Sequence, residues 1–160
     1  MARKTPVTNA IRVLRDHHVT FEVHEYRYEP RGGTRVSSRE LGVDEHTVIK
    51  TLIFEDDSQS PFVVLMHGDL EVSAREVARV LGVKSVQPCE ARVADRHSGY
   101  QVGGTSPFGL RRAMPILAQR TIADLATIYL NGGRRGMLVA LAPAALDEVL
   151  QVQWADIASA

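Results

Sequence analysis

The chain has 160 residues, 44% of them hydrophobic and 24% charged, and its 19 basic and 19 acidic residues cancel to zero net charge. Length and composition predict one globular domain, residues 1–160, with a sizeable buried core. Zero net charge argues against a general polyanion binder such as a DNA-coating protein, while a local basic patch stays compatible with it.

The localisation signals are those expected of a cytoplasmic protein. No apolar run approaches the length of a membrane span, and the charged N-terminal stretch lacks the apolar core of a secretory signal. The single cysteine, Cys89, cannot form an internal disulfide, which fits a reducing compartment. It also lacks the local signature of a nucleophile, so a structural thiol is the expected role.

The first predicted elements are a helix and a strand. Thr5 can cap the helix, and Pro6 fits its first position. Its apolar face is predicted at Val7, Ala10, Ile11, Leu14 and His18. The alternation in TFEVHEY, residues 20–26, then predicts a strand.

The next segment predicts short helices and a hairpin. EPRGGTR is expected to be a loop, followed by a helix with a capping box of Ser37 and Glu40 and a stop at Gly42. DEHTV predicts one helical turn. VIKTLIFE is the strongest strand of the chain, and PFVVLMH returns as its antiparallel partner.

The remaining elements alternate between helix and strand. Ser73 and Glu76 form a second capping box, for the helix SAREVARVLGV, which Gly82 ends. Short strands are predicted at KSVQP, AMPILA, LATIYL and MLVALA, and further helices at CEARVADRHSG and PAALDEVL. Because several strand pairs are hairpins, we expect an α+β fold with a mixed sheet rather than a doubly wound parallel sheet.

Lys50 is the first candidate for a chemical role. Period two in VIKTLIF places it on one strand face with Val48, Leu52 and Phe54. A lysine among apolar neighbours either reaches solvent along its aliphatic stem or lies partly desolvated at a site. From the strand alone, a solvent-reaching lysine is the favoured interpretation.

The loop GYQVGGTSPFG, residues 99–109, is the second candidate. Gly103 and Gly104 permit positive φ and close backbone approach, so backbone N–H groups here can hold a carbonyl oxygen or a phosphate. The loop also contains two hydroxyl donors, a stiffening proline and an aromatic residue expected to be exposed: Thr105, Ser106, Pro107 and Phe108. Since Gly and Pro dominate ordinary turns too, a simple turn is the favoured interpretation from the loop alone.

Arginines and histidines give weaker signals. Two arginine pairs are candidates for phosphate contacts: Arg111 with Arg112, and Arg134 with Arg135. The second pair lies in NGGRRG, where Asn131 and Gly132 are also a strong hairpin signal. The six histidines lack metal-site spacing, and no Walker, nucleophile-elbow or dinucleotide motif is present, so neither a metal nor a cofactor is expected.

Five stretches, taken in order, are far more specific than any one of them. They read FEVHEY, LGVDEHTVIKTL, VARVLG, GYQVGGTSPFG and ATIYLNGGRRG. Their order strongly resembles that of the YbaK-type proteins, relatives of the editing domain inserted in bacterial prolyl-tRNA synthetases, and the resemblance covers residues 7–157. Its most diagnostic parts are KTL after a short helix and the 99–109 loop. They reverse the ordinary interpretations of Lys50 and of that loop.

The resemblance implies a free-standing aminoacyl-tRNA deacylase with one strongly curved mixed sheet and surrounding helices. Such a protein hydrolyses the ester joining a wrong amino acid to the 3′ end of a tRNA, typically tRNA-Pro, and prolyl-tRNA synthetase is a candidate partner. The family's essential lysine matches Lys50, its Gly-x-x-Pro loop matches residues 104–107, and the aromatic residue of its H-x-Y segment matches Tyr26.

The implied site follows from these matches. Catalytic roles fall on Lys50, Gly103 and Gly104. Substrate contacts are implied for Tyr26, Thr51, Thr105, Ser106, Pro107, Asn131, Gly132 and Leu138, and tRNA-phosphate contacts for the two arginine pairs. Ester hydrolysis needs a stabilised oxyanion, which the loop's N–H groups can provide. Lys50 can hold the terminal ribose or phosphate, and a substrate hydroxyl can act as the base.

Two departures from the family pattern concern specificity. Cysteine-type members carry serine at the position of Asn131 and aspartate at that of Leu138. Alternation in MLVAL places Leu138 and Ala140 on one face and the bulkier residues on the other, which leaves Leu138 free to face the cavity or solvent. We therefore expect a small, mainly apolar amino acid such as alanine to be accepted, rather than strict specificity for cysteine.

Two other classes of function compete with the enzyme. One is a non-catalytic module that recognises aminoacyl-tRNA or a synthetase, and the other is a structural or regulatory protein that keeps the scaffold. Lys50 and the complete 99–109 loop favour the enzyme.

Overall fold

Five α-helices and eight β-strands make up the computed structural model, which describes residues 7–159. The helices are α1 (Asn9–Asp16), α2 (Gly33–Leu41), α3 (Ala74–Leu81), α4 (Ala91–Ser98) and α5 (Ala144–Val149), with single 3₁₀ segments at Glu45–Thr47 and Arg120–Asp124. The strands are β1 (Glu22–Glu25), β2 (Ile49–Asp56), β3 (Pro61–His67), β4 (Val86–Pro88), β5 (Ile116–Gln119), β6 (Ile128–Asn131), β7 (Met137–Leu141) and β8 (Val152–Ala155). None of the described helices is long and apolar enough to cross a membrane.

The strands form a mixed sheet in two hydrogen-bonded parts. Five strands lie in the order β4-β2-β3-β5-β8, in which β2 is antiparallel to β3 and β4, while β5 is parallel to β3 and β8. The other three lie in the antiparallel order β1-β7-β6. A single parallel bridge between Val48 and Tyr129 joins the two parts. The predicted α+β class with a mixed sheet is confirmed.

The core lies on both faces of β3, in which all seven residues are buried. Val63 and Leu65 belong to the larger core cluster, which also contains the apolar residues of α1. Phe62, Val64 and Met66 belong to the smaller cluster, beside α3. An unbroken apolar run such as PFVVLMH is what a strand covered on both faces requires.

Helix capping follows the predictions at α3 but not at α2. Ser73 Oγ accepts the amide of Glu76 at 3.2 Å, and α3 ends at Gly82, whose φ is +70°. The predicted start of α2 at Ser37 is wrong, because the helix already begins at Gly33. Ser37 is buried inside it and donates to Thr34 O at 3.3 Å, a local bond that a helical serine makes as readily as a cap.

Both ends of the chain add detail to the prediction. The cap at Thr5 and Pro6 lies outside the described residues, and α1 begins at Asn9 with Thr8 Oγ1 accepting the amide of Ile11 at 3.1 Å. Strand β8 was not predicted. It pairs in parallel with β5, and its four-residue sequence alone does not indicate this long-range contact.

Candidate active site

A cavity of about 880 Å³ opens beside β2, where the two parts of the sheet meet. Its lining includes every residue of the chain from Val48 to Phe54. Of the sequence-predicted site residues, it brings together Tyr26, Lys50, Thr51, Gly103, Thr105, Asn131, Arg135 and Leu138. Segments more than a hundred residues apart in the chain therefore meet at one opening.

Lys50 lies at this cavity with its ammonium group held in place. Its Nζ donates to the carbonyl oxygen of Leu70 at 2.6 Å and lies 3.9 Å from Glu71 Oε1. The Lys50 side chain is 19% exposed, whereas that of Glu71 is 87% exposed. The strand therefore presents a fixed positive charge to the cavity, with the solvated Glu71 carboxylate beside it.

The segment that holds Lys50 is itself fixed by histidines, which the sequence interpretation did not assign to the site. His46 Nδ1 lies 2.8 Å from Asp69 Oδ1, one residue before Leu70. The ring of His46 stacks at 3.7 Å on that of His67, which is fully buried and contacts His46 O and Thr121 Oγ1. Burial lowers the pKa of His67, which favours the neutral ring.

The 99–109 loop contributes Gly103 and Thr105 to the same cavity. The φ of Gly103 is +93°, a conformation that favours glycine. The amide of Gly104 donates to Gln101 O at 2.7 Å, so this predicted oxyanion donor is engaged within the loop. Gly104 instead faces a second cavity of about 470 Å³, which it lines with Arg134 and Arg135.

Close packing explains why Gly104 is a glycine. A Cβ added there would lie 2.8 Å from Arg135 N and 2.9 Å from Arg134 C, both backbone atoms. Ser106 and Pro107 are buried and do not line the main cavity, and neither does Gly132. Phe108 is fully buried in the larger core cluster, so the expectation that it is exposed is wrong; a glycine-rich loop can still anchor itself by one aromatic side chain.

The side chains of Asn131 and Arg135 join the 131–136 turn to the 99–109 loop by hydrogen bonds. Asn131 Nδ2 donates to Gly103 O at 3.1 Å, while its Oδ1 accepts the amides of Gly133 and Arg134 at 2.7 and 3.0 Å. Arg135 Nε donates to Val102 O at 3.0 Å, and its guanidinium lies 5.2 Å from the centroid of the Tyr28 ring. Both side chains thus position the loop, a role that a hairpin signal in the sequence does not reveal.

The remaining cavity residues are largely apolar in character. Leu138 is 4% exposed and lies on the face of β7 away from Met137 and Val139, which are in the larger core cluster. Burial raises the pKa of the Tyr26 phenol. Burial, followed by the nearby Glu55 carboxylate, raises the pKa of the Cys89 thiol to about 11, so this lining residue is a poor nucleophile.

Thr51 has an unusual environment. Its Oγ1 is buried and has no hydrogen-bond partner among the described residues.

The other three predicted phosphate contacts, Arg111, Arg112 and Arg134, are exposed outside the main cavity. Residues 7–159 contain no group of three or more histidine, cysteine or acidic side chains that is suited to a metal ion.

Comparisons with known proteins agree on one family. A family model described as "Aminoacyl-tRNA editing domain" matches residues 32–149. The chain is 27% identical over 151 residues to "Putative Cys-tRNA(Pro)/Cys-tRNA(Cys) deacylase EbsC" of Enterococcus faecalis, covering 94% of this chain and 92% of that protein. It is 30% identical over 118 residues to a proline–tRNA ligase of Streptococcus equi subsp. zooepidemicus, which covers 73% of this chain but only 18% of the ligase.

Solved structures share the fold. The crystal structure of hypothetical protein APE2540 matches with a TM-score of 0.86 at 23% identity, covering 95% of this chain and all of that one (100%). A crystal structure described as "a putative trans-editing enzyme for prolyl tRNA synthetase" matches with a TM-score of 0.82 at 17% identity, covering 97% of this chain and 100% of that one.

Proposed function

Because the chain belongs to the aminoacyl-tRNA editing domain family, we propose that it hydrolyses the ester bond between a wrong amino acid and the 3′ end of a tRNA. The observation that carries this proposal is the meeting of Lys50 with Gly103 and Thr105 at one cavity. A fixed cation can bind the charged end of a tRNA substrate, and a glycine in the loop lets the substrate approach the backbone closely.

Lys50 acts in this proposal by position and charge. Its ammonium group already donates to Leu70 O and retains further N–H donors for the terminal ribose or phosphate of the tRNA. None of the six histidines of the chain lines the cavity, and no histidine is proposed as the base. A hydroxyl of the terminal ribose is the proposed base that activates water.

The proposed tRNA is tRNA-Pro. This is supported by the name of the Enterococcus faecalis relative, which gives Cys-tRNA(Pro) beside Cys-tRNA(Cys), and by the similarity to part of a proline–tRNA ligase. The exposed arginines at 111, 112 and 134 are the proposed phosphate contacts. Since the chain has zero net charge, its own affinity for tRNA is expected to be weak, and prolyl-tRNA synthetase is the proposed partner that supplies the substrate.

Leu138 determines the proposed amino-acid preference. It forms an almost fully buried apolar part of the cavity wall, at the position where cysteine-type members carry aspartate. The proposed substrate is therefore an ester of a small, mainly apolar amino acid such as alanine. One or two methylenes are worth about 1–3 kcal/mol in such a pocket, so selectivity is modest.

A deacylation assay on separately charged tRNA-Pro species tests the function directly. We expect the full chain to release alanine and other small amino acids, with cysteine released at a comparable or lower rate. Binding of charged tRNA without turnover would support the non-catalytic module instead. Exclusive hydrolysis of the cysteine ester would leave the enzyme assignment standing and overturn the role given to Leu138.

A further inference from the structure

One edge of β2 has no hydrogen-bonded strand along it where it passes the cavity. On one side β2 pairs with β3 throughout Ile49 to Glu55, but on the other it pairs with β4 only from Phe54 to Asp56. Strand β6 lies near the start of β2, but it pairs with that second side only through the bridge at Val48. Among residues 7–159, the edge between these two contacts therefore has no strand partner, and it is this stretch that lines the cavity.

The hydrogen bonds at both ends of β2 show which backbone groups face this open edge. Val48 O accepts from Gly68 N at 2.7 Å and Asp56 N donates to Ser60 O at 3.1 Å, so even-numbered residues of β2 direct their polar groups toward β3. Ile53 O accepts from Cys89 N at 2.9 Å on the opposite side. Because these directions alternate along a strand, the N–H and C=O of Thr51 point away from β3, into the open edge.

An aminoacyl ester matches these two groups. Its α-amino nitrogen and its carbonyl oxygen flank one Cα, as the N–H and C=O of a strand residue do. In a hydrogen-bonded antiparallel pair, two facing residues exchange both bonds. The substrate can therefore add to the edge as a single strand residue, a main-chain mode of recognition that many peptide-binding proteins use.

We propose that the open backbone of Thr51 binds the aminoacyl end of the substrate, an inference that rests on the proposed function. The substrate's ammonium group donates to Thr51 O, and Thr51 N–H donates to the ester carbonyl oxygen. The second bond strengthens as that oxygen gains negative charge during attack by water. It also supplies an oxyanion donor at a site where the Gly104 amide is engaged by Gln101 O.

This arrangement separates two kinds of recognition. The Thr51 backbone reads the amine and carbonyl that all α-aminoacyl esters share, whereas the cavity wall at Leu138 selects the side chain. The substrate class is accordingly α-aminoacyl esters, and an acyl ester without the amine loses one of the two bonds.

Amide hydrogen exchange in the ¹⁵N-labelled full chain tests the binding. The probe is 3′-(L-alanylamino)-3′-deoxyadenosine, an amide that is not an ester substrate, and its control is the 3′-propanoylamino compound, which lacks the amine. We expect the probe to slow exchange of the Thr51 N–H at least about tenfold and to bind about tenfold more tightly than the control, the equivalent of about one hydrogen bond. The Leu52 N–H, which faces β3, should exchange slowly with or without the probe. Unchanged exchange at Thr51, or no binding of the probe at millimolar concentration, would overturn the inference.

A pair of proline variants tests the same groups by function. Thr51→Pro removes an N–H that has no strand partner, so the domain should fold, because proline is tolerated at a free edge. Leu52→Pro removes an N–H bonded to β3 and should abolish cooperative unfolding. We expect folded Thr51→Pro to lose at least about a hundredfold in deacylation rate, the usual effect of deleting one oxyanion donor.

The outcomes distinguish the inference from the function on which it rests. Full activity of a folded Thr51→Pro protein would overturn the role of Thr51 while the wild-type chain remains a deacylase. A wild-type chain that hydrolyses no aminoacyl ester would overturn the proposed function. The exchange experiment then still decides whether Thr51 binds an aminoacyl group, since it needs no turnover.

Discussion

Replacing Lys50 by methionine should abolish deacylation without unfolding the domain. Methionine keeps most of the aliphatic volume and removes the ammonium group that donates to Leu70 O at 2.6 Å. A hydrogen bond from a charged donor contributes about 1.5–3 kcal/mol to stability. The Glu71 carboxylate at 3.9 Å adds at most about 1 kcal/mol, because it is exposed to water. The sum is smaller than the total stability of about 5–15 kcal/mol expected of such a domain.

The loss of activity should exceed that structural cost. We expect the rate of Ala-tRNA(Pro) hydrolysis to fall by at least about a thousandfold, which corresponds to about 4 kcal/mol of transition-state stabilisation. The assay is release of radiolabelled alanine, with urea unfolding of each protein in parallel. Lys84→Met is the matched control, since this exposed lysine lies outside the cavity and its loss should leave the rate unchanged. Turnover by a folded Lys50→Met protein at close to the wild-type rate would refute the reasoning.

Three further predictions follow from the packing and the charges. Gly104→Ala should lower the stability of the domain by about 1–3 kcal/mol and should also lower activity, because the added Cβ would meet the backbone of the 131–136 turn. Gly82→Ala is the control: its φ is strained for alanine but its Cβ meets open space, so it should lower stability only. Leu138→Val should shift the ratio of rates toward larger amino acids by up to about tenfold, as measured on the same tRNA panel, and an unchanged ratio would contradict its place in the specificity wall. Burial lowers the pKa of His67 in the folded protein, so the unfolded chain binds the proton more readily. The resulting contribution to stability should be complete above the ordinary histidine pKa of 6.5 and should be lost as the pH falls below it. Urea unfolding at a series of pH values measures this decline. His67→Gln should flatten that decline, and a profile as steep as wild type would rule His67 out as its source.

Local signals in the sequence were sufficient for most of the secondary structure. The capping box at Ser73 and the glycine at 82 define α3 because both act within one helical turn. Strands β2 and β3 were predictable because a short turn joins two long apolar segments. The start of α2 was not, since the hydroxyl of Ser37 forms the same kind of local bond inside a helix as at its end.

Contacts between distant segments were beyond such signals. The parallel pairing of β8 with β5 and the burial of Phe108 depend on how the whole chain packs. At the site, Lys50 and the 99–109 loop could be identified from the sequence. The stack of His46 on His67 could not, because it forms only when two residues 21 positions apart meet in the folded chain. The open edge at Thr51 likewise results from where β4 and β6 stop, and no property of Thr51 itself reveals it.

The side chains of Asn131 and Arg135 make the order of the 99–109 loop dependent on a turn about thirty residues away. The carbonyl groups of Val102 and Gly103 are held by these two side chains rather than by a neighbouring strand. Such a unit can open locally at a free-energy cost below that of global unfolding. On warming, the protein should therefore lose its catalytic geometry while the sheet around β3 is still intact, so that heat inactivation precedes melting.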